Sequence, residues 1–139
     1  MKRILSISLL LGLLVPGALY SQWIPTNGPY GANVLSIVIN STGQIFAGTE
    51  GGVFRSTDNG GSWTAVNNGV AIVPVYALAI NSSGQIFASY GGVFRSTDNG
   101  GSWTPASAGL TSFDVRSIAI SLSGQIFVAT SGGVFRWPW

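Results

Sequence analysis

The chain has 139 residues, 46% of them apolar and 12% aromatic, with 20 glycines and only 7% charged side chains, against about a quarter charged in an ordinary soluble domain. These counts fit one small domain and exclude a disordered acidic or basic chain. Cysteine and histidine are both absent, which excludes disulfides, thiolate or imidazole metal sites, and catalysis built on a thiol or an imidazole base.

Lys2 and Arg3 open the chain, the apolar run Ile4 to Val15 follows, and Pro16 and Gly17 break it before small and polar residues lead to Ser21. This is the three-part pattern of a secretory signal peptide, with an apolar core too short to span a bilayer. Residues 1–21 are therefore expected to be a helical leader, cleaved after Ser21 or Ala18. Ser21 is favoured, because Gln22 and Trp23 begin the repeated pattern. No cysteine follows the apolar core, so a bacterial lipoprotein anchor is excluded.

The mature chain, 22–139, carries Arg55, Arg95, Arg116 and Arg136 against Glu50, Asp58, Asp98 and Asp114, and is neutral. No basic stripe exists to neutralise phosphates, so nucleic acid is not an expected partner. Neither is a membrane once the leader is gone. The expected location is secreted or periplasmic.

The mature chain repeats itself with a period near forty residues. Trp23, Trp63 and Trp103 mark units near 23–62, 63–102 and 103–139. Within each unit four short strands are expected. The first is Val34 to Ile39, matched by Val75 to Ile80 and Val115 to Ile120. Small residues such as Ser36, Ala77 and Ser117, followed by Val38, Ala79 and Ala119, occupy its second face. The second strand is Gln44 to Ala47, where adjacent Ile45 and Phe46 must point to opposite faces. The third is Val53 to Ser56, and the fourth surrounds Trp63. Asn40-Ser41-Thr42-Gly43 and Asp58-Asn59-Gly60-Gly61 read as turns, with glycine free to take positive φ. Asn40 and Asn81 also match glycosylation acceptors, a pattern explained by the turns themselves.

Four short strands per forty residues, apolar on both faces, describe one blade of a β-propeller stacked between neighbours. The expected fold is all-β: a partial β-propeller of about three four-stranded antiparallel blades.

Ser56-Thr57-Asp58-Asn59-Gly60-Gly61-Ser62-Trp63 and its copy Ser96 to Trp103 match the Asp-box, S-x-D-x-G-x-x-W. With the flanking Gly-Gly-Val-Phe-Arg, the chain resembles secreted bacterial proteins built from Asp-box (BNR) repeats, related to those of sialidases, xyloglucanases, sortilin-type receptors and photosystem assembly factors. The resemblance implies that the box is a hairpin between third and fourth strands. Ser56, Asp58, Gly60 and Trp63, and Ser96, Asp98, Gly100 and Trp103, would then be architectural: the aspartates accept backbone N–H groups and the tryptophans pack the turn onto the blade. Each box offers one carboxylate, too few for a calcium loop. No metal and no cofactor is expected.

After Arg136 the third box is replaced by Trp137-Pro138-Trp139, which reads as a truncated or frameshifted segment of a larger propeller. The mature start looks like a fourth strand without its blade, and the last unit lacks its fourth strand. Three blades are too few to close a ring. Two readings stand: self-association of two copies completes two joints of a six-bladed ring, or the chain is an unstable arc with two apolar faces exposed.

One rim is expected to carry Tyr30, Glu50, Tyr90, Phe113, Asp114 and Arg116, a mixture suited to stacking on sugars or gripping a peptide. No catalytic residue is assigned. The expected role is a non-catalytic module binding an extracellular protein or glycan. The alternative is a remnant of a sialidase-like or xyloglucanase-like hydrolase, for which Glu50 and Asp114 are the carboxylates available outside the boxes. Arg55, Arg95 and Arg136 resemble a sialidase arginine triad by number, but all three occupy one repeat position.

Overall fold

The computed structural model describes residues 21–138. The expected leader, apart from Ser21, lies outside the described residues. These are all-β, with no helix long and apolar enough to cross a membrane.

Eleven strands form three antiparallel sheets. The first sheet has the order β1 (Val34–Ile39), β2 (Ile45–Thr49), β3 (Gly52–Ser56) and β4 (Thr64–Ala65). The second is β5 (Ala77–Ile80), β6 (Ile86–Ser89), β7 (Val93–Ser96) and β8 (Thr104–Pro105). The third holds β9 (Val115–Ile120), β10 (Ile126–Thr130) and β11 (Gly133–Arg136). Each sheet is a meander because a tight turn joins each of its first strands. In the first, Asn40 Oδ1 accepts from the Thr42 and Gln44 N–H groups, and Gly43 takes φ 83°.

Several boundaries differ from the sequence reading, among them β2, which runs Ile45–Thr49 and not Gln44 to Ala47. The first strand of the second unit begins at Ala77 and not at Val75. The Val75 N–H instead crosses to the Thr49 carbonyl of the first sheet at 2.9 Å. The fourth strands begin just after the box tryptophans, since Trp63 and Trp103 serve the packing beneath and not the ladder. The segment from Trp23 forms no strand, because no third strand lies beside it.

The sheets stack face to face, with β1, β5 and β9 as neighbours at the inner end. Small residues permit that approach: Ser36 Oγ donates to the Val75 carbonyl at 3.4 Å, and a Cβ at Gly48 would lie 2.8 Å from Val75 Cγ1. This is a partial propeller of three blades, the third without an outer strand among the described residues. Phe46, Val53 and Val66 of the first blade pack on Leu78, Ile86 and Trp103 of the second. Phe87, Val93 and Ala106 of the second pack on Ile126 and Val128 of the third.

The outermost faces have no such cover among the described residues. At one repeat position Val53 is 0% exposed, Val93 3% and Val134 72%. At another, Ile37 is 62% exposed where Leu78 is 7%.

Candidate functional site

The two rims of the stack differ in kind. One carries the β1–β2 type turns and the boxes, tied across blades: Asn40 Nδ2 donates to Asn99 Oδ1 at 3.2 Å and Arg55 Nη1 to the Asn99 carbonyl at 3.1 Å. The two boxes are superimposable in their bonding. Ser56 Oγ donates to Asp58 Oδ1 at 2.8 Å and accepts from the Gly60 N–H at 2.9 Å. Asp58 Oδ1 and Oδ2 take the Ser62 N–H and hydroxyl at 2.8 and 2.6 Å. Ser96, Asp98, Gly100 and Ser102 repeat this with distances of 2.8, 2.8, 2.8 and 2.6 Å. Asn59 and Asn99 sit at φ 55° and 54°, a left-handed conformation that asparagine tolerates.

The Ser62 and Ser102 hydroxyls, then their N–H groups and the Ser56 and Ser96 hydroxyls, hold the two carboxyls down from 3.8 to about 2. A carboxyl lowered in the folded state contributes stability that is complete above 3.8 and lost as pH falls toward 2. Thermal melts by circular dichroism should therefore show the midpoint falling across that window. In an Asp58→Asn, Asp98→Asn double variant the midpoint should already be lower at pH 7 and flatter toward pH 2.

Trp103 is buried against the first blade and its Nε1 donates to the Val66 carbonyl at 2.8 Å. Trp63 is half-buried, and its Nε1 is enclosed with no partner among the described residues. Arg95 Nε is likewise enclosed without a partner; its repeat equivalent, Arg55, reaches the next blade's box, and the third unit has none.

The opposite rim gathers the β2–β3 type loops and the segments entering each first strand. The Glu50 N–H donates to the Asn33 carbonyl at 3.1 Å, and Ser112 Oγ lies 3.1 Å from Ser131 Oγ. Tyr30 is exposed at the entry to the first blade. Tyr90 lies in the second blade's loop with its ring 4.1 Å from Phe94 at 31°, and partial burial raises its phenol above the usual 10.0. Phe113 leans toward that loop: a Cβ at Gly92 would lie 3.3 Å from Phe113 Cδ1.

Asp114 and Arg116 form an ion pair, Oδ1 to Nε 2.7 Å. The Arg116 guanidinium lies 4.5 Å from the Tyr76 ring centroid. Hydrogen bonding and then charge from Asp114 push the Arg116 pKa up. The pair is half-exposed, so its energetic weight is small, and its value is orientation.

Tyr76 is a residue the sequence reading missed, because it falls inside the strand expected from Val75. The structure puts Leu35 and Arg116 opposite register shifts in β1–β2 and β9–β10. Tyr76 holds the same repeat position, donating its N–H to the Ser89 carbonyl at 3.2 Å just before Ala77 pairs with Ser89. A bulge re-aims a side chain out of the ladder. Leu35 and Arg116 thus fall at irregularities within β1 and β9, and Tyr76 stands just ahead of β5 at the same repeat position. The signal was present as the position where otherwise similar strands differ most.

Of the expected rim residues, the structure joins Asp114 with Arg116 directly, sets Phe113 near the Tyr90 loop, and keeps Tyr30 and Glu50 on the first blade. No contact joins Glu50 to Asp114. Among the described residues no group of three or more histidine, cysteine, aspartate or glutamate side chains converges.

No protein-family model and no curated protein sequence matches this chain. Solved structures do resemble it. The extracellular domain of the one component system BT4673 from B. thetaiotaomicron matches with TM-score 0.67 and 17% identity over 84% of this chain and 17% of that one. The extracellular domain of the hybrid two component system BT3049 from the same organism matches with TM-score 0.63 and 23% identity over 78% of this chain and 16% of that one. YCF48 bound to D1 peptide matches with TM-score 0.56 and 18% identity over 83% of this chain and 38% of that one. The neighbours are propeller-type domains, so the likeness is one of fold. This chain spans about a sixth of the two sensor ectodomains and under two fifths of YCF48.

Proposed function

We propose that this chain is an extracellular, non-catalytic propeller module that binds a protein segment or glycan across the rim carrying Tyr76, Tyr90, Phe113, Asp114 and Arg116. The observation that carries the reading is where the copies differ. The two boxes, Ser56 to Trp63 and Ser96 to Trp103, repeat without change, as a part serving its own blade does. The opposite rim holds leucine, tyrosine and arginine at one inner position and glutamate, tyrosine and serine (Glu50, Tyr90, Ser131) at another. Residues unique to single blades are what one asymmetric ligand requires, and aromatic faces beside an oriented guanidinium suit sugar rings or an extended peptide. The extracellular location is supported by the leader pattern and by neighbours that are themselves extracellular domains. YCF48 in complex with a peptide supports a peptide as one of the two ligand classes.

The test is a glycan array and an array of short extended peptides, probed with the chain secreted through its own leader. Binding to members of one class is expected, weakened at least about tenfold by Arg116→Ala or Tyr76→Ala, as for an interface anchor, and unchanged by Arg55→Ala on the other rim. A ligand held equally by both rim variants, or silence on both arrays, overturns the reading. Oligosaccharide release abolished by Glu50→Ala or Asp114→Ala would replace it with the hydrolase alternative.

A further inference from the structure

Between the second and third blades lies a cavity of about 140 Å³, close to the roughly 150 Å³ apolar cavities that take up benzene. Its walls are those of a site already occupied elsewhere in the molecule. Phe87, Val93 and Ala106 stand where Phe46, Val53 and Val66 stand one blade earlier, and Ile126, Val128 and Phe135 stand where Ile86, Ala88 and Phe94 stand. Between the first and second blades that space holds the Trp103 indole. Among the described residues no third-unit tryptophan enters this space as Trp103 does, and Trp137 forms part of the cavity wall.

Trp23 is the one other tryptophan at the Trp63 and Trp103 repeat position, and its side chain is fully exposed, 102%. Ile24 and Pro25 follow it as Thr64–Ala65 and Thr104–Pro105 follow the other two. Those pairs are the outer strands β4 and β8, registered Arg55 to Thr64 and Arg95 to Thr104. Pro105 shows that proline is accepted there, as it is on a sheet edge. Thr26 already holds its repeat place: it presses on the Gly60 turn of the first box, a Cβ there lying 2.7 Å from Thr26 Cγ2, as Val66 presses on Gly100 at 3.0 Å. Among the described residues the outer edge of β11 carries no fourth strand.

We infer that the cavity is a tryptophan socket, filled by Trp23 of a second copy whose Ile24–Pro25 adds to β11 as the missing outer strand. Ile24 then lies opposite Arg136 and Pro25 opposite Phe135. The Trp23 Nε1 donates to the Ala106 carbonyl as Trp103 does to Val66. The blade completed this way stacks its exposed Val134 face on the exposed Ile37 face of the second copy's first blade, continuing the stacking seen twice within the chain. It also brings the Thr26 carbonyl into the place where Val66 serves Trp103, giving Trp63 Nε1 its acceptor. Each copy supplies both a tail and a socket, so two joints close together. The three described blades of each copy make six together, within the four to eight that propellers adopt, and the pair is two-fold symmetric.

The chain has no cysteine, so the register can be read by crosslinking. An Ile24→Cys chain and a tagged Arg136→Cys chain are mixed and mildly oxidised. Opposed residues in an antiparallel pair lie about 5.5 Å apart when hydrogen-bonded, within disulfide reach. A covalent heterodimer is expected, with none when Ser131→Cys on the far rim replaces Arg136→Cys. Sedimentation should show the wild-type chain at twice its monomer mass. Trp23→Ala, a change at an exposed residue, should weaken the pair at least about tenfold with circular dichroism unchanged. A folded monomer at every concentration, a dimer indifferent to Trp23→Ala, open-ended polymers, or crosslinking equal at Ser131 would each overturn the inference. The readout is mass and crosslinking, so it stands or falls apart from ligand binding at the rim.

Discussion

Trp103→Ala is expected to remove about 3–5 kcal/mol from the unfolding free energy, the range for deleting a large buried aromatic. The indole is 4% exposed and fills the space between the first two blades. Its loss leaves a cavity lined by Phe46, Val66 and Ile86, and orphans the Val66 carbonyl that accepts from Nε1 at 2.8 Å. Total stabilities of small domains are about 5–15 kcal/mol, so the variant should be near the edge of folding. Trp63→Ala should cost less, since that indole is half-buried and its Nε1 makes no bond to lose. Urea unfolding followed by far-ultraviolet circular dichroism measures both. Equal costs at the two positions would show that the blade interface is not what anchors Trp103.

The second large effect lies at a single repeat position occupied by valine three times. Val53→Ala and Val93→Ala should each cost about 1.5–3 kcal/mol, the value of a fully buried branched side chain. Val134→Ala should stay within about 0.5 kcal/mol, as surface substitutions do. The measurement belongs in a Trp23→Ala background, so that association of copies does not cover Val134. The three residues share a local sequence, Gly-Gly-Val-Phe-Arg, and a strand position. A uniform cost across the series would mean that the valine stabilises its own hairpin and not the contact between blades.

The architecture was legible because the period is long and unambiguous. Repeated tryptophans, turn glycines and the doubled Ser-Thr-Asp-Asn-Gly-Gly-Ser-Trp run mark strand, turn and blade in one pass. The rim was legible only in part. Tyr30, Glu50, Tyr90, Phe113 and Asp114 stand out by loop position and Arg116 as the arginine outside the repeat position, whereas Tyr76 lies inside an expected strand. Propensity does not reveal that two residues oppose one partner, since a bulge is a property of the pairing and not of the strand. The distance between Glu50 and Asp114 was equally out of reach, because they belong to different blades.

Local features follow from the order of residues alone: meander sheets, the turn chemistry of Asn40, Asp58 and Gly60, and the apolar character of both blade faces. Those depend on dihedral preference and hydrogen bonds within a few residues. What each repeated residue is for depends on how the blades stack. Identical valines are buried or bare, and equivalent tryptophans are bonded, enclosed without a partner or fully exposed, because burial is set by whether another sheet stands alongside. A forty-residue code written three times cannot carry that difference; it arises from where in the stack each copy falls.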